Sequence, residues 1–341
     1  MLRALGAVPV ILGVRDAASE EDLWRFGDAE VLLAEPRGPQ ALAYAPDLGR
    51  LVGGAGLDLL HLHGIWQYPG RVAGSFASTG GVPLMISPHG MLDPWITARN
   101  AWKKRLARAL WERQSWSRAT AFHALTAHEA RDIARETGSM RIAVVPNAAP
   151  AVTRGPVRDR PPMVLYLGRI HPKKNLDALI AAWQAVRQDL PPDASLTVAG
   201  WGDDEGIARL EEAVAGTGGG SDIAFLGAAF GSQKAALFDV ARFLVLPSQS
   251  EGLPMAILEA WSSGVPTLMS QACHLPVGYE TGAAIDCGTD STTIASALRQ
   301  ALGLSGEAWR AMSIAALDLA NGPYSPDQVS RGWERAYGDL L

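Results

Sequence analysis

Twelve short apolar runs alternate with helix-patterned segments along the whole chain, and this alternation constrains the fold more than any other feature. In the first half the runs fall at 8–14, 29–34, 57–63, 83–87, 121–125 and 142–146. In the second half they fall at 163–167, 195–199, 223–226, 242–246, 266–270 and 283–286. Each is close to continuously apolar rather than alternating. Strands of that kind are buried on both faces, as in parallel sheets covered by helices on either side. The expected fold is α/β, with two doubly wound, Rossmann-like domains facing a cleft. The stretch 147–162 is rich in Pro, Ala and Arg and has neither period, so it reads as the linker. Domains are expected over 1–150 and 151–325, with a last helix over 326–341 able to pack back on the first. The glycine run at 216–220 reads as a loop.

A chain of 341 residues is long enough for two such domains, each with its own core. Hydrophobic content of 48% and charged content of 19% exclude a disordered chain. A net charge of −5 gives no case for nucleic acid as partner. Cys273 and Cys287 are the only cysteines, so no disulfide framework is implied and a cytoplasmic location is expected. No apolar run reaches membrane-spanning length.

Ligands of doubly wound sheets bind at the carboxyl ends of the strands, and the chemistry-bearing residues follow strand runs. Gly168-Arg169, Gly200-Trp201-Gly202-Asp203 and the segment from Pro247 to Glu251 do so in the second half. His63-Gly64 and His89-Gly90 do so in the first. Arg169 and Lys174, five residues apart, are able to grip a diphosphate from two sides; alone they would equally suit surface charge. In Ser250-Glu251-Gly252-Leu253-Pro254-Met255-Ala256-Ile257-Leu258-Glu259-Ala260 a glycine precedes a helix start, with Pro254 in its first turn. The free N–H groups of Gly252 and Leu253 and the helix dipole make an anion site there. Glu251 stands just before the helix and Glu259 about two turns in, so they are placed to reach opposite ends of one elongated ligand.

The pattern Gly168-Arg169 … Lys174-Asn175, Gly200-x-Gly202, then Glu251-x7-Glu259 resembles the donor half of retaining glycosyltransferases of family 4, which have the GT-B fold. Ser87-Pro88-His89-Gly90-Met91-Leu92-Asp93-Pro94-Trp95, Leu62-His63-Gly64-Ile65-Trp66, Leu275-Pro276 and Gly282-Ala283-Ala284-Ile285 are similar to members that build bacterial surface polysaccharides. The resemblance covers nearly the whole chain. It implies that Arg169 and Lys174 hold the donor diphosphate and that Glu259 binds the ribose. It also implies that Glu251 binds donor-sugar hydroxyls, that Gly168, Gly200, Gly252 and Leu253 line the donor site, and that His89 contacts the sugar near the reacting carbon. The implied reaction moves a sugar, with retention, from a UDP-, GDP- or ADP-sugar to a glycan or polyprenyl-linked acceptor. No cofactor is implied. An impaired relative that binds nucleotide sugar as a partner subunit is the alternative. An epimerase of the same fold is a weaker one, against which the glutamate motif argues.

No Asp-x-Asp pair is present, and His61 and His63 alternate on a strand without an evident third ligand, so metal-independent chemistry is expected. His61 and His63 read as a packed pair, and the cysteines as core thiols. From Arg99 to Arg118 there are seven basic residues and Glu112, with Trp102, Trp111 and Trp116 interleaved. Trp102, Leu106, Ala109, Leu110 and Arg113 recur at helical spacing. This is either an ordinary amphipathic helix with a solvated basic face or a surface that rests on anionic lipid. Finally, family members begin with a strand and a Gly-Gly loop. Here 1–6 looks like the end of the first helix, so the first βα unit reads as missing, which would leave two strand edges unpaired. A start further upstream, a shortened chain or a differently closed sheet are the three explanations.

Overall fold

The computed structural model describes residues 6–17, 19–152, 159–216 and 222–341. All twelve expected strands are present among them, with ends moved by no more than three residues. The chain divides into two compact units, Met1–Pro146 with Val329–Leu341, and Asn147–Gln328. The expected linker lies partly, at 153–158, outside the described residues, as do most of the 216–220 loop and the first five residues.

In the first unit β1 (Val10–Val14) pairs in parallel with β2 (Glu30–Ala34), and β3 (Leu60–His63), β4 (Leu84–Ser87), β5 (Ala121–Ala124) and β6 (Ile142–Val144) form a parallel sheet of four. Every residue of β4 and β5 is buried, which explains why both are apolar but for Ser87 and His123. The helix Tyr68–Gly80 reaches the helix Arg113–Arg118 closely only because Gly74 has no side chain. A Cβ there would lie 2.7 Å from the Ser115 Cα. Among the described residues no ladder joins β1 to β3. One apolar cluster bridges them instead, with Leu12 and Val14 of β1, Ala34 of β2 and Leu60 of β3 packed around Leu48, Val52 and Val72. All five residues of β1 are only half-buried. The segment Val329–Leu341 packs on this unit, with Gly332 against Val145 and the Arg141 guanidinium donating to the Asp339 carbonyl at 2.6 Å.

The basic aromatic stretch is not one regular helix. A helix Ala101–Ala107 passes through a π-type turn at Arg108–Glu112 into Arg113–Arg118. The apolar stripe seen in sequence faces outward: Trp102, Leu106 and Leu110 are 65%, 52% and 57% exposed. Ala107, Glu112, Ser115 and Trp116 are buried in its place. An ordinary amphipathic helix would have buried the stripe, so that reading is corrected.

In the second unit β7 (Met163–Leu167), β8 (Ser195–Ala199), β9 (Ile223–Phe225), β10 (Phe243–Leu246), β11 (Thr267–Met269) and β12 (Ala284–Asp286) form one parallel sheet in the order β12-β11-β10-β7-β8-β9. The chain winds outward from β7 to β9, then returns to β10 on the other side of β7. The switch point of this doubly wound sheet is therefore between β7 and β10. Trp183, Trp261 and Trp309 are fully buried around it, and Cys273 and Cys287 are buried free thiols. Burial pushes the Cys273 thiol up to about 12 and raises Cys287 as well, so neither is a thiolate at neutral pH.

Candidate functional site

The loops leaving β7 and β10 meet at the switch point. After β7 the chain runs through Gly168-Arg169 into a short turn, Pro172–Lys174, and then the helix Leu176–Val186. Asn175 holds the left-handed conformation between them at φ 64°. Its side-chain amide donates to the Pro247 carbonyl at 3.2 Å and the Thr289 carbonyl at 2.5 Å, fixing one loop to the other. The Gln249 N–H donates to the Lys173 carbonyl at 2.8 Å. The Lys174 ammonium then lies 2.5 Å from Glu251 Oε1, with both side chains largely shielded from solvent. The two expected site residues are thus brought into one ion pair, in the crevice where this kind of sheet holds ligands. Arg169, five residues before Lys174 in the same loop, is exposed, its carbonyl accepting from the Tyr166 hydroxyl at 2.9 Å.

The helix that follows Glu251 spans Met255–Ser262 with Pro254 as its cap. Pro254 therefore precedes the first turn rather than sitting in it, and Glu259 is just over one turn in, not two. The N–H groups of Gly252 and Leu253 have no partner among the described residues, leaving both donors available to an anion. Glu259 pairs with Lys234 at 2.7 Å, a lysine of the helix Gly231–Val240 that nothing in the sequence singled out. Trp201, in the strand-end segment already singled out, and Phe230, which the sequence did not single out, are exposed beyond β8 and β9 with ring centroids 5.5 Å apart. Exposed aromatic faces at strand ends are suited to stacking a planar base.

The glycines at the strand ends have a packing reason of their own. A Cβ on Gly200 would fall 1.9 Å from the Gly168 carbonyl oxygen, and one on Gly202 would fall 2.8 Å from that of Ile170. The two loops run side by side past the sheet, with the Ile170 N–H donating to the Trp201 carbonyl at 2.6 Å. Gly168 and Gly200 thus shape the floor of the crevice through backbone contact.

His89 belongs to the first unit. It follows β4 with a left-handed backbone, φ 54°, and its exposed ring lies against His63, Nε2 to Nδ1 at 2.9 Å. One of these two nitrogens carries a proton and the other accepts it. The Glu129 carboxylate, buried at the start of the helix Ala127–Thr137, accepts from the Gly90 N–H at 2.5 Å and the Leu125 N–H at 2.8 Å and so fixes the His89 loop. Behind His63, its ring centroid 4.2 Å away, is His61. His61 and His63 therefore do face one way, as a packed pair. Among the described residues no group of three His, Cys, Asp or Glu is placed to hold a metal ion.

A hydrogen-bonded row runs inward from His61, and its polarity is determined. The Val145 carbonyl can only accept, so His123 Nε2, at 2.7 Å, carries the proton. Neutral His123 then accepts at Nδ1 from the Ser87 hydroxyl, 2.7 Å away. Ser87 in turn accepts from His61 Nε2 at 2.6 Å, and His61 Nδ1 accepts from the Tyr337 hydroxyl at 2.8 Å. Burial with neighbouring imidazoles holds His61 down to about 2. Burial chiefly holds His63 and His123 to about 4 each, and lowers His89. Burial keeps these rings neutral, and the row ties the C-terminal segment, through Tyr337, to β3 and β4.

Two sequence families match in tandem. Residues 1–148 match the family described as glycosyl transferase 4-like domain, and residues 161–303 match glycosyl transferases group 1. A D-inositol 3-phosphate glycosyltransferase of Streptomyces scabiei is 29% identical over 66% of this chain and 55% of its own length. A GDP-mannose:cellobiosyl-diphosphopolyprenol alpha-mannosyltransferase of Xanthomonas campestris is 26% identical over 74% of this chain and 66% of its own length. The chain thus spans between about half and two thirds of these relatives. Among solved structures, Anabaena HepE in complex with UDP and glucose superposes with a TM-score of 0.77 at 15% identity, covering 97% of this chain and 100% of that one. Two α/β units with parallel sheets and this structural likeness define the GT-B fold. The two matches cover different halves of the chain and are both to glycosyltransferase families, the first half to the 4-like domain and the second half to group 1.

Proposed function

We propose that this protein transfers a sugar, with retention at the anomeric carbon, from a nucleoside diphosphate sugar to a glycan or polyprenyl-linked acceptor during surface-polysaccharide synthesis, at the cytoplasmic face of a membrane. The observation that carries the reading is the Lys174–Glu251 ion pair at the β7/β10 switch point, with Arg169 in the same loop as Lys174 and the free N–H groups of Gly252 and Leu253 next to Glu251. A diphosphate carries more negative charge than a carboxylate and accepts from several donors at once. On arrival it draws Lys174 away from Glu251. Arg169, Lys174 and the two N–H groups then stabilise the charge that grows on the leaving diphosphate. The freed Glu251 carboxylate accepts hydroxyls of the donor sugar. Glu259, steadied by Lys234, takes the ribose hydroxyls, and Trp201 with Phe230 offers a stacking face for the base. In this reading His89 contacts the sugar near the reacting carbon, and no protein nucleophile, metal or resident cofactor is assigned.

The Xanthomonas relative's name specifies a diphosphopolyprenol acceptor, which supports a lipid-linked acceptor here. A second reading, a nucleotide-sugar-binding relative with little transferase activity, is favoured by one observation, the division of the first unit's strands into two sheets. A thermal-shift panel of UDP-, GDP- and ADP-sugars tests the proposal. One donor is expected to raise the melting temperature, and Glu259→Ala is expected to abolish that rise. No shift with any donor would overturn the donor site; a shift without sugar release or transfer would favour the second reading.

A further inference from the structure

The outward face of the basic stretch adjoins a cavity of about 310 Å³ in the first unit, separate from the crevice of the second. Lys104, Arg105, Arg108 and Arg135 line it, with Glu136 the one carboxylate in its wall. Arg108 pairs with Glu136 at 2.6 Å, and Arg135 pairs with Asp132 at 2.6 Å. Lys104 donates to the Ile96 and Arg99 carbonyls, which brings no negative charge. Arg105 has no ion-pair partner among the described residues, and the buried Arg108 Nε–H has no hydrogen-bond partner there. Four cations against two carboxylates leave about two positive charges at a concave site, the complement of a phosphate or diphosphate.

The exposed stripe begins beside this cavity. Trp102 and Leu106 each follow a cavity-lining residue, so they lie about 100° further round the same helix. Leu110 extends the stripe by another turn. Lys103 lies over the Trp102 ring at 5.6 Å, and Arg99 over Trp95 at 3.7 Å. A free phosphate has no use for three large exposed apolar side chains in a row, whereas a phosphate borne on a hydrocarbon chain does.

We propose that this cavity seats the phosphate groups of a lipid-borne diphosphate while the Trp102–Leu106–Leu110 stripe lies along its hydrocarbon chain. This rests on the transferase reading and names the acceptor class that the first unit would hold. Arg105 and Trp102 are both exposed and outside the core, so Arg105→Gln and Trp102→Ser are expected to fold normally.

The test uses the full chain with farnesyl diphosphate and inorganic diphosphate as probes, binding measured by calorimetry, and the donor nucleotide shift measured alongside. Arg105→Gln is expected to weaken both probes about tenfold, about 1.4 kcal/mol. Trp102→Ser is expected to weaken farnesyl diphosphate by a similar factor and to leave inorganic diphosphate unchanged. Both variants keep the nucleotide shift. Unchanged farnesyl diphosphate binding in either variant overturns the proposal. Equal weakening of both probes by Trp102→Ser overturns the hydrocarbon assignment. Loss of the nucleotide shift in wild type bears on the donor site and not on this one.

Discussion

Acid should loosen the first unit through its neutral histidines, and His123 allows the size of the effect to be worked out. An unfolded imidazole takes a proton below about pH 6.5, whereas folded His123, 2% exposed, does so only near 4. Between these values the unfolded chain binds more protons, so stability falls as pH falls. At pH 4.5 the unfolded ring is almost fully protonated and the folded ring mostly neutral. The loss relative to pH 7 is then about 2.5 kcal/mol for this residue. His61, lowered further, adds a similar amount. Against a total stability of roughly 5–15 kcal/mol the sum is large. Urea unfolding at pH 7 and pH 4.5, followed by circular dichroism, measures it. With a slope of a few kcal/mol per molar, each histidine corresponds to a midpoint shift of about 1 M. His123→Gln supplies the control. A carboxamide accepts from Ser87 and donates to the Val145 carbonyl as the neutral ring does, but it cannot take a proton. Its acid loss should be smaller by about the His123 share, whatever the variant's stability at pH 7. If His123→Gln loses as much stability on acidification as wild type, the reasoning is wrong.

Two further outcomes follow from buried groups. Gly200→Ala places a Cβ 1.9 Å from the Gly168 oxygen, so it should destabilise the second unit by at least about 3 kcal/mol in a thermal melt. Glu112 is raised to about 6, first by burial, and its Oε2 has no hydrogen-bond partner among the described residues, so its ionised form is the disfavoured one. Its contribution is present below the unfolded carboxyl value and is lost as pH rises through 6. Glu112→Gln should therefore raise the melting temperature at pH 8, by up to about 2 kcal/mol in stability, and change it little at pH 4.

The strands were legible because a parallel strand buried on both faces is apolar at nearly every position, as Met163–Leu167 shows. Two unpaired strand edges were expected in the first unit, and among the described residues β1 and β3 share no ladder; the apolar cluster that bridges them was not legible, because it is built by tertiary contact. The stripe of Trp102, Leu106 and Leu110 could be read, but not its direction. That depends on which side of the helix the rest of the first unit covers, and it covers the side of Ala107, Glu112 and Trp116. At the candidate site, Arg169, Lys174, Glu251 and Glu259 stood out by their short spacing after strands. Lys234 did not, because its partner Glu259 is 25 residues away on another helix. His123 and Tyr337 were invisible for the same reason, joined to His61 only through tertiary contact and the hydroxyl of Ser87.

The central claim is that the β7/β10 crevice of the second unit grips a nucleoside diphosphate through Arg169 and Lys174. Calorimetric titration of UDP, GDP and ADP into the wild-type chain and into Arg169→Ala/Lys174→Ala tests it most directly. One nucleotide should bind at a single saturable site in wild type. The double variant should bind it at least about a hundredfold more weakly, about 2.7 kcal/mol, for the loss of two charge-assisted contacts. Equal affinity in the two proteins would contradict the account.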